Sequence, residues 1–139
     1  MQESAQAVTK QTKKVESVLL VDDDANIRLI IEISLEGLTD WKVRQANSGQ
    51  QALELMGEQR PDLVLLDVMM PEMDGITMLE RIKERFAADM PFVIFMTAKV
   101  QRQELEQYKL LGAAGVIMKP FDPMTLAEEI MGILSSCVP

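Results

Sequence analysis

Two kinds of hydrophobic run alternate along this chain. Short, unbroken apolar stretches, Val18-Leu19-Leu20-Val21, Leu63-Val64-Leu65-Leu66 and Phe92-Val93-Ile94-Phe95-Met96, are too brief for buried helices and read as strands covered on both faces. Val116-Ile117-Met118 is a shorter run of the same kind. Lys42 to Ala46 alternates polar and apolar, as an edge strand with one exposed side does. Each run is followed by apolar residues at helical spacing. Ile27, Ile30, Ile31, Leu35 and Leu38 form the first such face, with Gly37 as a cap near its end. Ala52, Leu53 and Met56 follow a cap at Asn47 or Ser48, and Gly57 and Pro61 end that helix. Ile76, Leu79, Ile82 and Phe86 follow the turn Pro71 to Gly75, with Asp74 able to cap. A polar helix is expected from about Val100 to Leu111, stopped by Gly112. Leu126, Ile130, Ile133 and Leu134 share a face after Asp122-Pro123, which reads as a cap followed by proline at the first helical position.

Strand and helix thus alternate five times. That pattern predicts an α/β fold, a doubly wound five-stranded parallel sheet with right-handed crossovers and helices on both faces. Ligands of such sheets sit beyond the carboxyl ends of the strands. The residues at those ends are polar: Asp22 and Asp23 after the first strand, Asp67 on the third, Thr97 on the fourth and Lys119 after the fifth.

The totals narrow the chemistry. A chain of 139 residues, 47% of them hydrophobic, suits one domain with one real core. Its longest apolar runs fall far short of the ~18 residues of a membrane span. Met1 to Ser17 is rich in Gln, Lys, Ser and Thr and lacks the apolar stretch of a secretory signal; residues 1–16 are expected to be a flexible arm. Cys137 is the single cysteine, so a disulfide framework or zinc site is excluded and a reducing, cytoplasmic compartment is expected. A net charge of −8 argues against nucleic acid as a partner. With no histidine, the commonest general base and metal ligand are missing.

Three carboxylates in one crevice repel each other and need compensation. Lys119 supplies one positive charge. A hard divalent cation is the natural remainder, and Mg²⁺ fits because it binds through one or two carboxylates and keeps several waters. A carboxylate facing a metal can act as a nucleophile toward phosphorus. The metal, Lys119 and the Thr97 hydroxyl would then hold the phosphoryl oxygens. Each residue also has a plainer reading. Asp24 can simply cap a helix, Thr97 can bond backbone, and Lys119 can be a solvated surface charge. A helix needs only one cap, however, which leaves Asp22 and Asp23 unexplained by capping.

Taken in order, Val21-Asp22-Asp23, Leu66-Asp67-Val68-Met69-Met70-Pro71 with Met73-Asp74-Gly75, Met96-Thr97-Ala98 and Lys119-Pro120-Phe121 resemble the receiver domain of the bacterial two-component response-regulator family. The separations of 44, 30 and 22 residues between Asp23, Asp67, Thr97 and Lys119 agree with it, and the resemblance covers about residues 17–136, leaving 137–139 as a tail. It implies a flavodoxin-like sheet with strand order 2-1-3-4-5. It implies that Asp67 accepts phosphoryl from a histidine kinase or histidine phosphotransfer protein. Asp22, Asp23, Asp67 and the backbone carbonyl of Met69 would hold Mg²⁺, Thr97 and Lys119 would engage the phosphoryl group, and the Lys119-Pro120 bond would be cis. Met69 and Lys99 would tune the lifetime of the phosphorylated state. The chain departs from the family at Val116, where many receivers carry Tyr or Phe as a rotating switch. A smaller shift of the fourth helix, fifth strand and fifth helix is expected instead. Output would pass to a downstream protein or output domain, with Tyr108 and Met124 as exposed contacts and homodimerisation left open. The rival readings are a domain cut from a longer regulator or hybrid kinase, a pseudo-receiver without phosphoryl chemistry, and an aspartyl-phosphate hydrolase. The hydrolase would need an acid–base carboxylate where this chain has Met69. A nucleotide-binding fold lacks its Gly-rich loop.

Overall fold

The computed structural model describes residues 15–98 and 102–137. Five strands, β1 (Ser17–Val21), β2 (Lys42–Ala46), β3 (Leu63–Asp67), β4 (Phe92–Thr97) and β5 (Gly115–Met118), form one parallel sheet in the order β2-β1-β3-β4-β5. Five helices connect or follow them: α1 (Ala25–Leu38), α2 (Gly49–Glu58), α3 (Gly75–Phe86), α4 (Arg102–Leu110) and α5 (Leu126–Ser135).

Alternation along the strands divides the core in two. Leu19, Val21, Val64, Leu66, Val93 and Phe95 face one side, where Ala52 and Met56 of α2, Met78, Leu79 and Ile82 of α3, and Tyr108 of α4 pack. Val18, Leu20, Leu63, Leu65, Ile94, Met96 and Ile117 face the other, against Ile31 and Leu35 of α1 and Leu126, Ala127 and Ile130 of α5. β3 is buried along its whole length, as expected for a strand with neighbours on both sides and helices on both faces. β2 lies at an edge and is only partly covered.

Local chemistry sets the helix starts. Asp24 accepts from the amides of Asn26 and Ile27, Ser48 from that of Gln51, and Asp74 from that of Thr77. Several expectations are corrected. α1 runs through Gly37 and ends at a Thr39 cap. Ile30 and Leu38 are exposed rather than inward. Successive helical residues point about 100° apart, so Ile30 cannot share the narrow stripe of Ile31, Ser34 and Leu35 that meets the sheet. Gly57 lies inside α2. Asp122-Pro123 begins a turn, not a helix: the Asp122 carboxylate accepts from the Met124 amide, and α5 starts at Leu126. Tyr108, expected at the surface, is buried, whereas Met124 is exposed.

Val15 and Glu16, grouped with the arm by composition, pack with the fold: Val15 is buried and the Glu16 amide donates to Asp62. The rest of the expected arm (1–14), the last two residues of the expected tail (138–139), Lys99 and the expected helix start at Val100 lie outside the described residues. Among the described residues, no helix is long and apolar enough to cross a membrane.

Candidate functional site

Parallel strands end on the same rim, and the registers align the polar residues there. Asp67 pairs with Met96 on β4, and Val21, the residue before Asp22, pairs with Leu66. The Lys119 amide donates to the Thr97 carbonyl at 2.8 Å, which brings the end of β5 beside the end of β4. The Lys119-Pro120 bond is cis. Asp22, Asp67 and Thr97 are buried although polar, while Asp23 is exposed.

The acids lie close together. One carboxylate oxygen from each of Asp22, Asp23 and Asp67 lies within 4.8 Å of the other two. The Lys119 ammonium donates to Asp22 Oδ2 at 2.9 Å and stands 3.6 Å from Asp67 Oδ1. Backbone fixes the rest. Asp22 Oδ1 accepts from the Asp24 amide at 2.9 Å, and Asp67 Oδ1 accepts from the Met69 amide at 3.2 Å. The Arg28 guanidinium donates to the Asp22 carbonyl at 2.6 Å and to Gln45 Oε1 at 3.0 Å, tying the β1 tip to α1 and β2. Arg28 went unnoticed in the sequence, where nothing distinguishes it from a surface charge.

Electrostatics follow from this crowding. Burial, then the neighbouring Asp22 charge, hold the Asp67 carboxyl above its ordinary value; the Met69 amide and the Lys119 charge pull it down without cancelling the rise. For Lys119, burial works against the charge. The hydrogen bond and charge of Asp22, reinforced by Asp67, outweigh burial and leave the ammonium more basic than a free lysine. The cluster is therefore short of positive charge. Its donors are all oxygens, which suits a hard cation, and the spacing lets one ion touch all three carboxylates.

Two features under the rim shape it. Gly75, the first residue of α3, donates its amide to the Val68 carbonyl at 2.8 Å. A β-carbon there would lie 2.8 Å from Val68 Cα, 3.0 Å from Phe95 Cε1 and 3.1 Å from the Asp67 carbonyl oxygen, so only glycine lets α3 start this close to β3. Phe95 in turn packs against Tyr108, ring centroids 4.8 Å apart and planes at 57°. The Tyr108 hydroxyl donates to Glu104 Oε2 at 3.1 Å; burial, then that carboxylate, push the phenol up. Val116, half-buried, lies beside Phe95 across the β4–β5 ladder. Met69, two residues beyond Asp67, is 76% exposed. Of the sequence-predicted site residues, Asp22, Asp23, Asp67 and Lys119 are thus brought together. Thr97 ends the neighbouring strand, and Asp24 serves as the α1 cap.

Comparison with known proteins agrees with this geometry. The chain is 35% identical over 119 residues to the phosphate regulon transcriptional regulatory protein PhoB of Pseudomonas aeruginosa, covering 85% of this chain and 51% of that protein. It spans about half the length of the curated relatives it matches. Its fold superposes on the chemotaxis protein CheY4 of Vibrio cholerae with a TM-score of 0.79 at 27% identity, covering 86% of this chain and 99% of that one. It superposes on a BeF3-activated receiver domain, DrrB, with a TM-score of 0.73 at 27% identity, covering 88% and 99%. Receiver domains are signalling modules rather than a classical enzyme family, and they bind Mg²⁺ at an acidic cluster of the kind formed here. Residues 18–131 match the response regulator receiver domain model, and the chain belongs to that family.

Proposed function

We propose that this domain is a phosphorylation-controlled switch whose acceptor is Asp67. The observation that carries this reading is the convergence of Asp22, Asp23 and Asp67 within 4.8 Å, with Lys119 bridging Asp22 and Asp67. Asp67 Oδ1 is engaged by the Met69 amide and faces Lys119, so Oδ2 is the proposed nucleophile. It attacks the phosphorus of a phosphohistidine on a kinase or phosphotransfer protein. The P–N bond breaks, the imidazole leaves with the electron pair, and an aspartyl-phosphate remains.

Asp22, Asp23, Asp67 and the Met69 carbonyl are the proposed Mg²⁺ ligands. Mg²⁺, when bound, supplies the positive charge that the three acids and the phosphoryl oxygens require. Lys119 pairs with the phosphoryl group from the Asp67 side, and the Thr97 hydroxyl bonds it from the end of β4. The phosphorylated state then biases the face made by α4, β5 and α5, which a downstream protein or an output domain reads. The net charge of −8 keeps nucleic acid off this domain.

Incubation with acetyl phosphate and Mg²⁺ should add one phosphoryl mass to the intact protein. EDTA and Asp67→Asn should each abolish the gain. Full retention of the gain in Asp67→Asn refutes the acceptor assignment.

A further inference from the structure

α4 reaches the core through a single buried side chain. Tyr108 is the one buried side chain of α4; the helix is otherwise polar or only partly covered. Its ring rests on Phe95, an aromatic contact that adds to simple burial. Its hydroxyl bonds Glu104 one turn earlier on the same helix. The peg is therefore a ring that touches the core and a hydroxyl that stays with α4.

Phe95 connects that peg to the acidic rim in two ways. It lies two residues before Thr97 on β4, so both project from the same sheet face. Its Cε1 also abuts Gly75, 3.0 Å from where a β-carbon would sit, and Gly75 is bonded to Val68, the residue after Asp67. One ring thus touches both the segment that leaves Asp67 and the only buried contact of α4. Val116, the other neighbour of Phe95, is β-branched and held in a strand, so it has little rotamer freedom with which to follow a displacement.

We infer that Tyr108 is the positioning residue that couples the occupancy of Asp67 to the placement of α4, through Phe95. This rests on the phosphoacceptor reading above. A displacement of Thr97 or of the Val68–Gly75 segment shifts Phe95. A helix held by a single peg then moves with that peg as a unit. Coupling of this kind is reciprocal: removing the peg must alter the affinity at Asp67.

The chain has one tyrosine, so 3-fluorotyrosine places a single reporter at position 108. Fluorine NMR with Mg²⁺ and beryllofluoride, a phosphoryl mimic, reads the bound mimic and the ring in one spectrum. The expected result is a bound-mimic signal accompanied by a shifted or split fluorotyrosine signal, both absent in Asp67→Asn. Tyr108→Leu should change beryllofluoride affinity by about 5-fold or more, whereas Tyr108→Phe, which keeps the ring, should stay within roughly 2-fold. Amide exchange over residues 102–110 should respond to the mimic in wild type and Tyr108→Phe but not in Tyr108→Leu. A bound-mimic signal with an unchanged fluorotyrosine resonance overturns the inference, even if the leucine variant fails to fold. Absence of any bound mimic in wild type overturns the phosphoacceptor reading, and the inference with it.

Discussion

Substituting Gly75 by alanine tests whether the closeness of α3 to β3 is what holds the rim in shape. The added β-carbon would lie 2.8 Å from Val68 Cα and 3.1 Å from the Asp67 carbonyl oxygen. Carbon atoms normally rest about 3.5–4.0 Å apart, so the overlap with Val68 is about 1 Å. Both neighbours are backbone and cannot rotate away. Overpacking of this kind costs about 1–3 kcal/mol. Gly75 opens α3, so its replacement recovers less than the about 0.5–1 kcal/mol of a mid-helix glycine and offsets only part of that cost. Gly132, inside α5 with nothing within 4 Å of its would-be β-carbon, supplies the control. Gly132→Ala should gain the full helical increment, about 0.5–1 kcal/mol. Urea unfolding should therefore move the midpoints of the two variants in opposite directions at unchanged m-value. Because the added methyl would press on the Asp67 backbone, Gly75→Ala should also slow phosphorylation by acetyl phosphate, while Gly132→Ala should leave it unaltered. A Gly75→Ala protein as stable as wild type, with an unchanged m-value and normal phosphorylation, would refute the reasoning.

Other outcomes follow from the same structure. The Asp67 pKa is raised in the folded state above the ordinary 3.8, so the wild-type fold loses stability as pH rises through 3.8 toward the raised value and does not regain it above. Asp67→Asn should accordingly be the more stable protein in EDTA at pH 7, with the advantage vanishing below the ordinary value and shrinking when Mg²⁺ is added; thermal melts at both pH values check this. Lys119→Met leaves Asp22 and Asp67 without the cation now 2.9 and 3.6 Å away. The loss should be about 1–3 kcal/mol at pH 7, less than for a fully buried pair because the ammonium keeps some solvent, and smaller near pH 4; equal losses at both pH values in urea melts would contradict the pairing. Ala87 ends α3 at φ 47° and ψ −118°, a conformation that favours glycine. Ala87→Gly should relieve about 1–3 kcal/mol of strain against an unfolded-state cost of about 0.4–1 kcal/mol, for a net rise in the urea midpoint.

The sheet was legible because its strands are buried on both faces. A run such as Leu63 to Leu66 has no polar side to blur it, and its ending on Asp67 located the rim. The acids, Thr97 and Lys119 were legible as an ordered set of strand ends. Helix faces were read less well. Ile30 and Ile31 are equally apolar, and only the contact with the sheet selects Ile31. Tyr108 reads as surface in the sequence because its helix is polar. Its spacing from Leu105 and Leu111, three residues either way, was the available sign that it turns inward. Gly75 looked like a turn residue, since closeness to Val68 and Phe95 exists only once α3 is laid against β3 and β4. Arg28 acts on a backbone carbonyl, and no side-chain motif records that.

The strand order also bears on how the protein is made. The cation that pairs with Asp22 comes from the end of β5, 97 positions further along the chain. Synthesis proceeds at about 5–20 residues per second, so the ribosome delivers both acids several seconds before their lysine. During that interval Asp67 is present but its pocket is not. On the phosphoacceptor reading, a nascent chain is deaf to a phosphoryl donor until β5 has emerged and docked beside β4, because only then does Lys119 reach the acids.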